Sequence, residues 1–177
     1  MELPAGHQPT RDELRAIADV LTAEVTDALA SLQRTVGGDE PRRLVAELLV
    51  ELSRILTVGA RLGAMPRFVP PEPFEPDAGP EPELDEVRVR LATTLDGFDS
   101  YVEVFDPHET PVEIIESRIS DDVFSLVSAL AHGLQHARDG RPLEALWWWQ
   151  FSYLSSWGSE TTAAVRALQA LVARDRL

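Results

Sequence analysis

Four carboxylates, Asp96, Asp99, Glu103 and Asp106, follow spacings of three, four and three, and two imidazoles, His132 and His136, stand four apart. On helices, both sets would gather on one face: at 100° per residue the carboxylates fall within an arc of about 80°. Clustered oxygens suit magnesium or calcium, and carboxylates with histidines from facing helices are the ligands of di-metal bundle sites. The sequence also gives reasons against a metal. If 84–106 is helical, its inward face is Phe98, Tyr101, Val102 and Phe105, so the acids point to solvent. The histidine pair, in His132-Gly133-Leu134-Gln135-His136, lacks the glutamate of a metalloprotease helix, and no third ligand is specified. A metal-dependent enzyme using Asp96, Asp99, Glu103, His132 and His136 is therefore the alternative reading. No catalytic residue and no cofactor is expected. With no cysteine there is no thiol nucleophile, and no serine sits in a recognisable nucleophile turn.

The other chemically distinctive stretch runs from Gly140 to Gly158 and holds all four tryptophans, Trp147, Trp148, Trp149 and Trp157. Three consecutive indoles point about 100° apart and cannot share a face. Trp147 aligns with Leu143, Phe151 and Leu154, which reads as the core face. Trp149 aligns with Ala145, Tyr153 and Ser156, and reads as core as well. Trp148 aligns with Glu144, Ser152 and Ser155. A partner-binding surface is thus expected at Trp148, with Trp157 at the helix end and Glu144 and Arg141 nearby, because aromatic residues are enriched at interfaces.

The elements that must position these residues read as an all-α, single-domain bundle of about six helices spanning 1–177. Thr10 and Glu13 have capping-box spacing, and Leu14, Ala18, Leu21, Val25, Ala28 and Leu32 repeat at helical period up to Gly37-Gly38. Asp39 is the expected cap of a second helix whose apolar set is too broad for one stripe, so it packs on two sides. The two form an N-terminal hairpin over 10–63. Residues 64–82 are proline-rich and acidic, and read as an extended strap crossing the bundle with Phe68 and Phe74 as anchors. Helices over 83–177 complete the bundle. One of them runs from Leu84 to Phe105 with Gly97 as an interruption, and 107–119 is a loop. Ser120 caps a helix with the stripe Val123, Val127, Leu130, Leu134 and Ala137. The tryptophan helix opens at Pro142 and ends at Gly158, and Ser159 starts the last.

The net charge of -14 is concentrated in the middle of the chain, where residues 72–119 carry 14 acids against 3 arginines. Such a surface repels nucleic acid and anionic membrane and attracts basic protein surfaces. No stretch approaches the roughly 20 apolar residues of a membrane span, and the N-terminus lacks the pattern of a secretion signal, so a cytoplasmic protein is expected.

The run Arg118-Ile119-Ser120-Asp121-Asp122, then Gly140-Arg141, Ala145-Leu-Trp-Trp-Trp-Gln-Phe-Ser-Tyr, Trp157-Gly158 and Arg166-Ala167-Leu168, resembles a bacterial, mainly actinobacterial family, the domain of unknown function number 5063. The resemblance implies no activity and carries over no catalytic residue. It does point to gene neighbours that include a recombination mediator, and so to an acidic mimic of nucleic acid or regulator of a DNA-repair protein as a further alternative. Gly133, Gly140, Ala145, Trp149 and Ser152 also resemble one tetratricopeptide helical hairpin. With no second copy, this reads as a general solution for two close-packed helices. The leading expectation is a non-catalytic helical module binding another protein, one with a basic surface or a second copy of itself, and neither a membrane nor nucleic acid directly.

Overall fold

A computed structural model describes residues 9–38, 40–69 and 84–176. The expected cap Asp39 and most of the strap, including Phe74, lie outside the described residues.

Helix α1 (Arg11–Val36) starts at the expected capping box: the Thr10 N–H donates to Glu13 Oε2 at 2.7 Å, and the Glu13 N–H to Thr10 Oγ1 at 3.3 Å. The N-cap of α2 (Pro41–Ala64) is Glu40, whose carboxylate accepts the N–H groups of Arg42 and Arg43. An acid there also suits the positive end of the helix dipole. The two helices run antiparallel, so Arg61 reaches back to pair with Glu24. α2 is packed on two sides, against α1 on one and the last helix on the other.

Between Leu84 and Phe105 the structure departs from the expected helix. α3 (Asp85–Thr94) ends early, and Gly97 at φ 82° turns the chain. Only glycine enters that left-handed region without penalty. The next residues, Ser-Tyr-Val-Glu-Val, are rich in aromatic and β-branched side chains, which favour a strand. They form β1 (Ser100–Val104), which pairs antiparallel with β2 (Ile114–Arg118). The expected loop over 107–119 is thus half strand. A small two-stranded sheet is added to an otherwise all-α fold.

α4 (Ile119–Arg138) lies at the centre, against α1, α3, the later helices and β2. Its expected stripe is the buried one, with Val123, Val127, Leu130 and Leu134 all within the core. Gly140, at φ 75°, turns the chain into α5 (Pro142–Ser152). From there the helix does not stop at Gly158. A π-helical turn (Tyr153–Trp157) carries it directly into α6 (Gly158–Arg176), so the described residues hold five continuous helices rather than six. The wider π turn brings Tyr153 and Trp157 edge to face, centroids 4.9 Å apart. A β-carbon on Gly59, Gly63 or Gly158 would stand within 3 Å of the Tyr153 residue. These three glycines are the seat for that turn. Gln150 locks it to α2 by donating to the Leu62 carbonyl at 3.0 Å and the Met65 carbonyl at 3.2 Å.

Candidate functional site

The tryptophan helix is mostly interior. Trp149 and Trp157 are fully buried and Glu144 is 3% exposed. Trp148 and Arg141 are half-buried. The Trp148 indole N–H donates to the Ala129 carbonyl at 2.9 Å, and its ring lies 4.3 Å from that of His132. Trp157 donates to Ser152 Oγ. The surface expected from Trp148, Trp157, Glu144 and Arg141 is therefore turned into the bundle. Trp147, read as core, is half-buried like Trp148 and stacks on Phe151 at 5.3 Å, beside the exposed Phe151 and Leu154. The reason is that apolar residues ring α5 on all sides. A 3.6-residue period cannot then choose which face meets α4.

The acids fare similarly. Asp96 is exposed in the turn before β1. Asp99 is 3% exposed and serves as the missing cap of α4: its Oδ1 accepts the Ser120 N–H at 2.8 Å, and its Oδ2 accepts the Ser120 hydroxyl at 2.7 Å. Arg118 adds an ion pair at 3.1 Å. Ser120, expected to cap the helix itself, is the group being capped. Glu103 accepts from Ser117 across the hairpin. The histidines sit together, His136 buried and its ring 5.0 Å from that of His132. Yet Ser120 and His132 are about 18 Å apart along α4, at 1.5 Å per residue. Among the described residues, no three His, Asp or Glu side chains gather as a metal-holding group.

What remains open to solvent is the hairpin. Alternation places Tyr101, Glu103, Ile115 and Ser117 toward the bundle, and Val102, Val104, Ile114 and Glu116 outward. Val102, Val104 and Ile114 are 63%, 42% and 66% exposed, with Val104 directly opposite Ile114. Phe98 and Phe105, expected to face inward, are exposed at the two ends of β1, and Val112 adjoins them in the loop. Glu116 stands opposite Val102 on this face, and Asp106, Glu109 and Glu113 lie in the connection between the two strands, Asp106 Oδ1 also accepting the His108 N–H. The signal for it was present in the sequence, as Tyr-Val-Glu-Val-Phe after a glycine and Ile-Ile-Glu-Ser before a cap, but its period is two.

The inner side of the hairpin is held to α4 by a polar latch. Tyr101 Oη donates to Asp122 Oδ2 at 2.6 Å. Burial raises the Asp122 carboxyl to about 7, with Glu103 on β1, Glu160 on α6 and neighbouring Asp121 pushing the same way and the Tyr101 hydrogen bond opposing them. Asp121 itself pairs with Arg88 of α3. A carboxyl raised on folding stabilises the fold fully below its unfolded value near 4, and that contribution is lost as pH rises through about 7. Stability should therefore fall between about pH 4 and 7 and level off above. Asp122→Asn retains an acceptor for Tyr101 and should flatten the pH profile of the melting temperature. At pH 8 it should gain about 2 kcal/mol, a value reduced from the full shift for solvent screening.

These observations define a class: a helical bundle in which Glu40, Asp99 and Asp122 serve as caps and a latch, carrying, among the described residues, one small hairpin with an exposed apolar face. The family profile described as Domain of unknown function (DUF5063) matches residues 11–174, and the chain belongs to that family. No curated protein matches it. The crystal structure of protein BF1032 from Bacteroides fragilis is similar in fold, with a TM-score of 0.66 and 18% identity, covering 85% of this chain and 88% of that one. Among the described residues, no helix is long and apolar enough to cross a membrane.

Proposed function

We propose that this chain is a non-catalytic module that binds another protein through the outer face of the β1–β2 hairpin. The observation that carries the reading is the contiguous exposure of Val102, Val104 and Ile114 on one sheet face, with Val112 exposed just before β2 and Phe105 exposed just after β1. Exposed apolar residues scattered singly need no explanation, but a contiguous patch with a polar rim is the usual mark of an interaction site. The sheet has only two strands among the described residues, so each strand also keeps one edge without a strand partner.

The test combines capture with site mapping. A photo-crosslinking residue at position 112 is expected to label the same protein that the unmodified chain captures from extract of its native cell. Val104→Asp with Ile114→Asp should reduce that capture at least tenfold. Both sites are exposed but paired across the sheet, so the double variant should cost about 1–2 kcal/mol and leave the bundle folded, which thermal unfolding checks. Phe151→Asp, on the separate Trp147–Phe151 patch, should leave capture intact. Capture that survives the double variant but is lost on Phe151→Asp would move the surface to α5 and overturn the assignment.

A further inference from the structure

Resting on that reading, we infer that the occupant of this face is an extended segment of a partner protein, alternating basic and apolar residues, laid along the free edge of β1 as a third strand. The ladder shows which peptide groups are free. The Phe105 N–H donates to the Glu113 carbonyl at 3.0 Å, and the Ile119 N–H to the Asp99 carbonyl at 2.9 Å. Antiparallel pairs alternate, so the pairs between these, Val102 with Glu116 and Val104 with Ile114, are the non-hydrogen-bonded ones. Their N–H and C=O groups point away from the partner strand. The outer-face residues of β1 therefore present both an apolar side chain and, among the described residues, a backbone without a strand partner to the same approaching strand.

Between the two edges, β1 is the one left open among the described residues. β2 runs straight into α4 and meets its first residues, whereas, among the described residues, β1 borders no element besides β2 to a similar extent, the Tyr101–Asp122 latch on its inner face apart. Exposed Phe98 and Phe105 stand just before and just after β1, where they would flank an added strand. Strand addition takes its affinity from main-chain hydrogen bonds and its specificity from alternate side chains. Here the apolar side chains of the added strand would lie beside Val102 and Val104. The basic ones, alternating onto the other face, would lie beside Glu103 and reach the acids Asp106, Glu109 and Glu113 at the end of the strand.

Charge decides against a second copy of this chain. Two such faces would oppose Glu109, Glu113 and Glu116 to one another, and like charges brought together at an interface cost several kcal/mol. A basic segment meets the same acids with attraction.

The experiment uses the full chain, labelled for amide exchange by NMR, and three synthetic octapeptides: alternating Arg-Val, alternating Glu-Val and alternating Arg-Ser. Arg-Val should slow exchange at the Val102 and Val104 amides at least tenfold and leave Ile114 and Glu116 unchanged. Glu-Val should do nothing, and Arg-Ser should slow exchange less than threefold. Glu109→Arg with Glu113→Arg should weaken Arg-Val binding about tenfold. Slowing at Ile114 and Glu116 instead, equal slowing by Glu-Val, or concentration-dependent protection of Val102 and Val104 without peptide would each overturn the inference, the last in favour of self-association. If no peptide slows exchange while capture still depends on Val104 and Ile114, strand addition falls and the interaction reading stands. If capture is also indifferent to those residues, both fall.

Discussion

Gly133→Ala is expected to destabilise the protein by about 3 kcal/mol, a drop in melting temperature of about 9 °C. Alanine ordinarily strengthens a helix by about 1 kcal/mol over glycine, so the sign itself is informative. A β-carbon at 133 would stand 2.1 Å from Trp149 Nε1 and 2.5 Å from Cε2. The indole cannot step aside easily, because it is fully buried and its N–H donates to the Leu130 carbonyl at 3.2 Å. Either α4 and α5 separate by more than an ångström or the ring leaves its rotamer and its hydrogen bond. Overpacking of this kind costs about 1–3 kcal/mol, and an orphaned buried donor costs a similar amount again. Urea unfolding measures the loss. In a double-mutant cycle, Trp149→Phe should cost less in the Gly133→Ala background than alone, since the smaller ring removes the clash. A Gly133→Ala protein more stable than the parent would show that the two helices are free to slide.

The same contact shows what kind of structure was legible in the sequence. Close packing of two helices needs a small residue opposite a large ring, and the Gly133, Gly140, Ala145, Trp149 and Ser152 pattern announces it. Capping by Thr10 and Glu13, the α4 stripe and the two-sided packing of α2 are likewise local or periodic signals, and the structure carries each of them. Three things failed for identifiable physical reasons. The tryptophan helix carries large apolar residues on every side, so period alone placed Trp147 inside and Trp148 outside, whereas both are half-buried and it is Trp148 that bonds to α4. Gly158 looks like a stop, but here it is small because the Tyr153 carbonyl would lie 2.4 Å from a β-carbon there, and the helix continues through it. Finally, the carboxylate spacing of Asp96, Asp99, Glu103 and Asp106 fits a helix by coincidence. A left-handed glycine at 97 resets the backbone to a period of two, and the acids separate to different tasks.

Asp99→Ala should cost about 3 kcal/mol, although aspartate at this position reads from sequence as a dispensable surface acid. Asp99 and Ser120 are far apart in sequence yet joined by two short hydrogen bonds in a buried site, with Ser120 only 1% exposed. Removing the carboxylate leaves the Ser120 N–H and hydroxyl at the first turn of α4 without their acceptor, which is the larger part of the cost. The lost pair with Arg118 matters less, because that side chain is half exposed and water takes up its charge. Asp99→Asn keeps one acceptor oxygen and should lose about half as much. The consequence reaches beyond stability, because Asp99 ties the base of the hairpin to the helix that follows it. Amide exchange at Tyr101, Glu103, Ile115 and Ser117 should accelerate in Asp99→Ala by more than global unfolding accounts for, and capture through Val104 and Ile114 should weaken in step. If the variant loses less than about 0.5 kcal/mol and the hairpin amides stay protected, Tyr101 and Asp122 hold the hairpin on their own. Acid would then leave it in place, whereas Tyr101→Phe would release it.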